Sequence, residues 1–137
     1  MARILAIDLG TKRTGIAVTD PLQITANPLE TIDTAQLIPF LKAYFTKEEV
    51  DTLVLGLPIR LNGQDNEMTP KVRSLKSELE RVFPEKKTVL IDERFTSKMA
   101  MQSMIAMGSK KKDRKEKAGN LDKVSAAIIL QSYLERQ

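Results

Sequence analysis

At 137 residues the chain has the length of one domain with a single core, read here as residues 1–137. Its 42% hydrophobic and 29% charged content is that of an ordinary globular protein, and no apolar run approaches the roughly 20 residues that span a bilayer. It has no histidine and no cysteine, which excludes disulfides, soft-metal sites and imidazole proton transfer.

The start of the chain reaches Asp8 before a signal-peptide core can form, so it is expected to stay uncleaved. With no cysteine, a cytoplasmic address is the simple expectation. The net charge is +4, and its position matters more than its size. The stretch Ser109 to Ala118 holds six basic and two acidic residues, so the whole excess sits there. Lys110, Lys111, Lys112, Arg114, Lys115 and Lys117 form either a footprint for a polyanion or a solvated run that aids solubility.

The first third reads as strands. Arg3 to Asp8 and Thr14 to Asp20 are β-rich runs joined by a short turn with glycine, the pattern of an antiparallel hairpin. Pro21 ends the second run. Ala26 to Ile32 adds a third strand, and Pro28 confines it to an edge. Asp33 followed by Gln36 reads as a capping pair. Leu37, Phe40, Leu41, Tyr44 and Phe45 then recur at helical spacing.

Asp51 to Leu57 is a near-continuous apolar run, the kind of strand buried on both faces. A polar loop from Arg60 to Asn66 follows. Thr69-Pro70 opens a second helix, with Thr69 as cap and an apolar stripe of Val72, Leu75, Leu79 and Val82. Thr88 to Ile91 is another buried strand, and it ends in Asp92-Glu93. A helix starting near Ser97 carries Met99, Met101, Met104, Ile105 and Met107 as core filler. A last helix runs from about Leu121 to Leu134. Three antiparallel strands followed by βαβ crossovers give an α/β fold with one five-stranded mixed sheet and helices on both faces.

Asp8 and Glu93 both emerge where buried strands end. If those strands are parallel neighbours or nearly so, the two acids emerge on the sheet edge where α/β folds place their sites. Asp122 shares a helix face with Ala126, Ile129 and Tyr133, whereas Lys123, Ser132, Glu135 and Arg136 can face solvent. Three converging carboxylates make a hard-cation site for Mg²⁺ or Mn²⁺, suited to phosphodiester hydrolysis. Lys12, Arg13 and Arg94 are placed to hold phosphates. Each acid also has a plainer role. Asp8 can close the Gly10 turn, Asp92 can anchor the next loop, and Asp122 sits close to a helix start, where the dipole favours any acid.

Four blocks in order resemble the YqgF/RuvX family, bacterial Holliday-junction-resolvase-like nucleases also described as pre-16S rRNA nucleases. They are Asp8-Leu9-Gly10-Thr11-Lys12-Arg13-Thr14-Gly15-Ile16-Ala17, Gly56-Leu57-Pro58, Asp92-Glu93-Arg94-Phe95-Thr96-Ser97, and Leu121-Asp122-Lys123-Val124-Ser125-Ala126-Ala127. The resemblance spans nearly the whole chain, and the combination carries its specificity. It implies a ribonuclease-H-like fold and a divalent-metal nuclease site formed by Asp8, Glu93 and Asp122. It also implies a nucleic-acid substrate, either the 5′ end of precursor 16S rRNA or branched DNA, and contact with ribosomal particles. A monomer suits RNA trimming, whereas junction resolution asks for a two-fold homodimer. The related resolvases use four acids, and Asp92 is the candidate for a fourth. Lys123 stands where many relatives have an uncharged residue.

Two other classes fit parts of the pattern. Asp8 to Thr11 suits the strand-turn-strand opening of actin- and hexokinase-type ATPases, but that fold clasps nucleotide between two such domains and this chain supplies one. A non-catalytic nucleic-acid or ribosome-associated module of the same fold is the second. Bare carboxylates argue against it, because they repel phosphate unless a cation neutralises them.

Overall fold

The computed structural model describes residues 2–93 and 117–136, with side chains in the last helix described from Lys123 onward. Strands β1 (Arg3–Leu9), β2 (Arg13–Thr19), β3 (Ala26–Asp33), β4 (Val50–Leu57) and β5 (Lys87–Asp92) form one sheet in the order β3-β2-β1-β4-β5. β1 pairs antiparallel with β2, and β2 with β3. β1 and β4 are parallel, as are β4 and β5. The mixed sheet expected from the sequence is therefore present, with β4 buried between β1 and β5. Pro28 lies on the edge strand β3, beside a register shift at Ile16/Ala17. A residue without an N–H is tolerated there.

Period-two alternation divides the sheet into two apolar faces. Leu5, Ile7, Leu53 and Leu55 pack with α1 (Leu37–Lys47) and α2 (Thr69–Val82), through Leu41, Val72, Leu75 and Leu79. Ile4, Ala6, Ala17, Val54 and Ile91 pack with α3 (Lys117–Glu135), through Ala126, Ala127, Ile129 and Leu130. Each fully buried leucine contributes about 2 kcal/mol relative to an exposed one. The two alanines keep α3 close to the sheet, where it crosses β2 and β3 as well as β1.

The helices correct four expectations. Asp33 makes no side-chain cap bond; a 3₁₀ turn, Thr34–Gln36, precedes α1 instead. Thr34 is tied to the β1–β2 turn, donating to the Gly10 carbonyl at 2.7 Å and pairing with the Thr14 hydroxyl at 2.8 Å. Thr69 does not cap α2 either. Asn66 Oδ1 accepts the N–H groups of Met68 (2.8 Å) and Thr69 (3.0 Å), and the buried Thr69 hydroxyl donates back to the Pro58 carbonyl. The last helix already includes Lys117 rather than starting near Leu121, so Asp122 stands beyond its first turn and the first-turn dipole explanation no longer covers it. Gly119 and Asn120 read as a boundary, but interior glycine costs a helix only about 1 kcal/mol. Ser132 is buried rather than solvent-facing, because the helix lies across four strands and buries a wide arc. The helix expected near Ser97 lies outside the described residues.

The β2–β3 turn is held by one carboxylate. Asp20 accepts N–H groups from Leu22 (3.1 Å), Ile24 (2.8 Å) and Thr25 (2.7 Å), and the Thr25 hydroxyl at 3.1 Å. Between them Gln23 takes a positive φ of 59°, a strained setting that the clamp maintains. The Thr25 N–H, with help from the other donors, holds the Asp20 carboxyl down to about 2. Its folded value lies below its unfolded one, so its stabilising effect is present above about pH 4 and lost as the pH falls towards 2. Asp20→Ala should therefore melt below wild type at pH 7. The gap should close between pH 4 and pH 2 in thermal melts.

Candidate active site

β1 carries Ile4, Ala6 and Asp8 on one side and Leu5, Ile7 and Leu9 on the other. Asp8 therefore leaves the sheet on the α3 face, half-buried, at the carboxyl end of β1. It pairs with Gly15 of β2 and is engaged in further contacts. Gly10 makes the following turn possible, since a Cβ there would lie 2.3 Å from the Arg13 carbonyl oxygen. Lys12 and Arg13 are exposed on this turn, at the same end of the sheet as Asp8. The Lys12 carbonyl accepts the Thr34 N–H at 2.9 Å, which fixes the turn against the start of α1.

β4 and β5 extend the edge. Ile7 is level with Leu55, so the next residues, Asp8 and Gly56, are level too. Gly56 is paired with Ile91, and Leu57 with Asp92. Glu93 follows directly, and its carboxylate folds back over Gly56. A Cβ on that glycine would stand 3.1 Å from Glu93 Oε2 and 2.5 Å from Ile129 Cδ1. Glu93 thus lies on the α3 face, over the strand next to the one that bears Asp8. Burial, with the Asp92 charge second, pushes its carboxyl above the usual carboxylate range. A half-buried acid of this kind ionises more readily when a cation meets it.

The structure thus brings the Glu93 carboxylate over β4, on the same face as Asp8 of the neighbouring β1, although β4 separates the two strands that bear these acids. Asp92 ends β5 beside them, on the alternate side. Asp122 lies on the α3 backbone two turns before Ile129, the residue that covers Gly56. Its side chain lies outside the described ones, as do Arg94, Lys110, Lys111, Lys112, Arg114 and Lys115. Among the described residues no three acids group closely enough to hold a metal. Asp8 and Glu93 offer oxygen donors only, which fits Mg²⁺ or Mn²⁺ and excludes a soft-metal set. A cavity of about 350 Å³ opens on the other face, lined by Leu9, Thr11, Thr34, Met68, Lys71 and Glu78. It lies on the Leu9 side of β1, away from Asp8. No helix among the described residues is long and apolar enough to cross a membrane.

Sequence reasoning missed Gly56 as part of the site. Gly56-Leu57-Pro58 carried the family pattern, but the strand register and the seat of Glu93 give the glycine its purpose.

The sheet order, the crossovers and the acidic carboxyl edge define a ribonuclease-H-like α/β protein. The chain belongs to the RuvX family, described as Holliday junction resolvase, whose model matches residues 2–136. A protein of Flavobacterium johnsoniae called "Putative pre-16S rRNA nuclease" is 50% identical over 134 residues, 98% of this chain and 96% of that one. Relatives of the same name from Flavobacterium psychrophilum (48% over 137 residues; 100% and 99%) and Phocaeicola vulgatus (49% over 135 residues; 98% and 96%) are similar along nearly their whole lengths.

Proposed function

We propose that this protein is a divalent-metal-dependent nuclease that hydrolyses phosphodiester bonds of structured nucleic acid in the cytoplasm, processing the 5′ end of precursor 16S rRNA. The observation that carries the reading is the seating of the Glu93 carboxylate over Gly56, level with Asp8 on the neighbouring strand. Names of relatives about half identical in sequence support the choice of RNA. The family description supports a second substrate, branched DNA.

Asp8, Glu93 and Asp122 are the residues that would hold the cation. A cation held there would lower the pKa of water and offset charge on the phosphodiester. The side chains of Lys12 and Arg13, on the rigid turn beside Asp8, bind phosphate oxygens and orient the substrate backbone. Arg94 and the run from Lys110 to Lys115 extend this cationic support. Neither histidine nor cysteine is present as a nucleophile, and in this reading water attacks phosphorus, the bond from phosphorus to one bridging sugar oxygen breaks, and the proton given up by the water ends on that leaving oxygen.

The deciding assay compares precursor 16S rRNA, four-way junction DNA and duplex DNA, each with Mg²⁺ and with Mn²⁺. Cleavage of the RNA at a discrete 5′ position supports the first reading, and paired nicks in the junction support the second. Binding without cleavage of any substrate would make the chain a non-catalytic module. Excess chelator should remove all cleavage, and Mn²⁺ should restore it. Activity that survives chelation rejects the metal mechanism.

A further inference from the structure

Glycine in a central strand weakens it, because it has no side chain to pack and more freedom to lose. Gly56 occupies such a position, between β1 and β5. Its backbone gives no reason for the choice, since Gly63 (φ 86°) is the only glycine with positive φ among the described residues. The reason is the space above it. Val54 packs on the α3 face two residues earlier, and a side chain at 56 would project the same way. That volume is already taken, by the terminal methyl of Ile129 from one side and the Glu93 carboxyl from the other.

We infer that Gly56 is a positioning residue for Glu93. Its missing side chain leaves a hollow in the sheet, walled by Ile129, that seats the Glu93 carboxylate next to the strand carrying Asp8. Glu93 follows the last residue of β5, where a long side chain has many rotamers. The hollow selects the one that turns back across β4. A methyl at 56 would stand 3.1 Å from Oε2 and 3.2 Å from Cδ, closer than ordinary contact, so the carboxyl would have to give way by a few tenths of an ångström. The inference rests on the reading of Glu93 as a cation-holding residue. It adds to that reading that the acid is held in place by a glycine on another strand.

The test separates crowding from positioning. Gly56→Ala also meets Ile129 Cδ1 at 2.5 Å, so the single variant mixes core strain with displacement of the acid. Ile129→Val removes that methyl. The double variant Gly56→Ala/Ile129→Val should therefore melt close to Ile129→Val alone in metal-free buffer. Its Mn²⁺ affinity, read by calorimetric titration of the protein without substrate, should be about tenfold or more weaker. Its kcat should fall by a similar factor while KM for nucleic acid stays near that of Ile129→Val. If the double variant binds Mn²⁺ as tightly as Ile129→Val, the positioning role is wrong. Glu93→Gln reports separately on the underlying reading. Wild-type Mn²⁺ affinity in that variant would mean that Glu93 holds no cation, and the inference would fall with it. Weak binding in Glu93→Gln with normal binding in the double variant would overturn the inference alone. Should Gly56→Ala melt too low to measure, the double variant keeps the test open, since it lacks the clashing methyl.

Discussion

Replacing Asp8 with asparagine should reduce cleavage on the order of a thousandfold, equivalent to about 4 kcal/mol on the barrier. Asparagine keeps the size and one oxygen of the acid, so it leaves β1 and the Gly10 turn intact. It removes the charge that would hold a cation at the edge. The fold should be unharmed, and its response without metal is informative. Asp8 shares the carboxyl edge with Asp92 and Glu93, whose carboxyl already stands above its usual range through burial and the Asp92 charge. Removing a further negative charge relieves repulsion, so Asp8→Asn should melt above wild type in metal-free buffer. Added Mn²⁺ should raise the melting temperature of wild type and leave the variant nearly unmoved. Cleavage at the wild-type rate would place the chemistry elsewhere on the molecule. A lowered melting temperature would mean that Asp8 chiefly ties the turn, the plainer role its position also allows.

Much of this edge was legible because strands and acids leave strong local marks. Ile4 to Ile7 followed by Asp8, and Thr88 to Ile91 followed by Asp92-Glu93, announce buried strands that end in charge. Pro28 announces an edge, and the unbroken run through Leu57 announces a strand covered on both sides. The less legible features depend on partners distant in sequence. Alternation alone does not say which face of β1 meets α3, because both faces are apolar. The role of Gly56 needs the β1–β4–β5 register and the approach of Ile129, seventy-odd residues away. Asn66 and Thr69 exchanged roles because Thr69 is drawn inward to the Pro58 carbonyl, leaving Asn66 to cap. Gly119-Asn120 looked like a helix boundary because local propensity speaks for termination, whereas the helix is stabilised by the apolar face further along. Ser132 looked solvent-facing because a single stripe was assumed where the helix crosses four strands.

The basic run gives the second large effect, one of affinity rather than rate. Charge outside Ser109 to Ala118 sums to zero, so this stretch carries the chain's net attraction for a polyanion. It precedes Asp122 by only a few residues in sequence. We propose that Lys110, Lys111, Lys112, Arg114, Lys115 and Lys117 grip the substrate backbone and offset the repulsion between the acids and incoming phosphate. Four to six phosphate contacts correspond to a log K against log salt slope of roughly −4 to −5 on duplex. Replacing Lys110, Lys111 and Lys112 together with alanine should flatten that slope by about 3. At 0.1 M salt the same loss of counterion release weakens binding on the order of several hundredfold. The weakening should be similar across sequences, because phosphate contacts carry no base information. Turnover at saturating substrate should change little, since Asp8, Glu93 and Asp122 are untouched. This separates the triple variant from Asp8→Asn, which should bind and fail to cleave. Titrations at several salt concentrations, with labelled RNA and junction DNA, supply both the slope and the affinity. A slope unchanged in the triple variant would show that the run only keeps the protein soluble. The attraction for substrate would then fall to Lys12, Arg13 and Arg94.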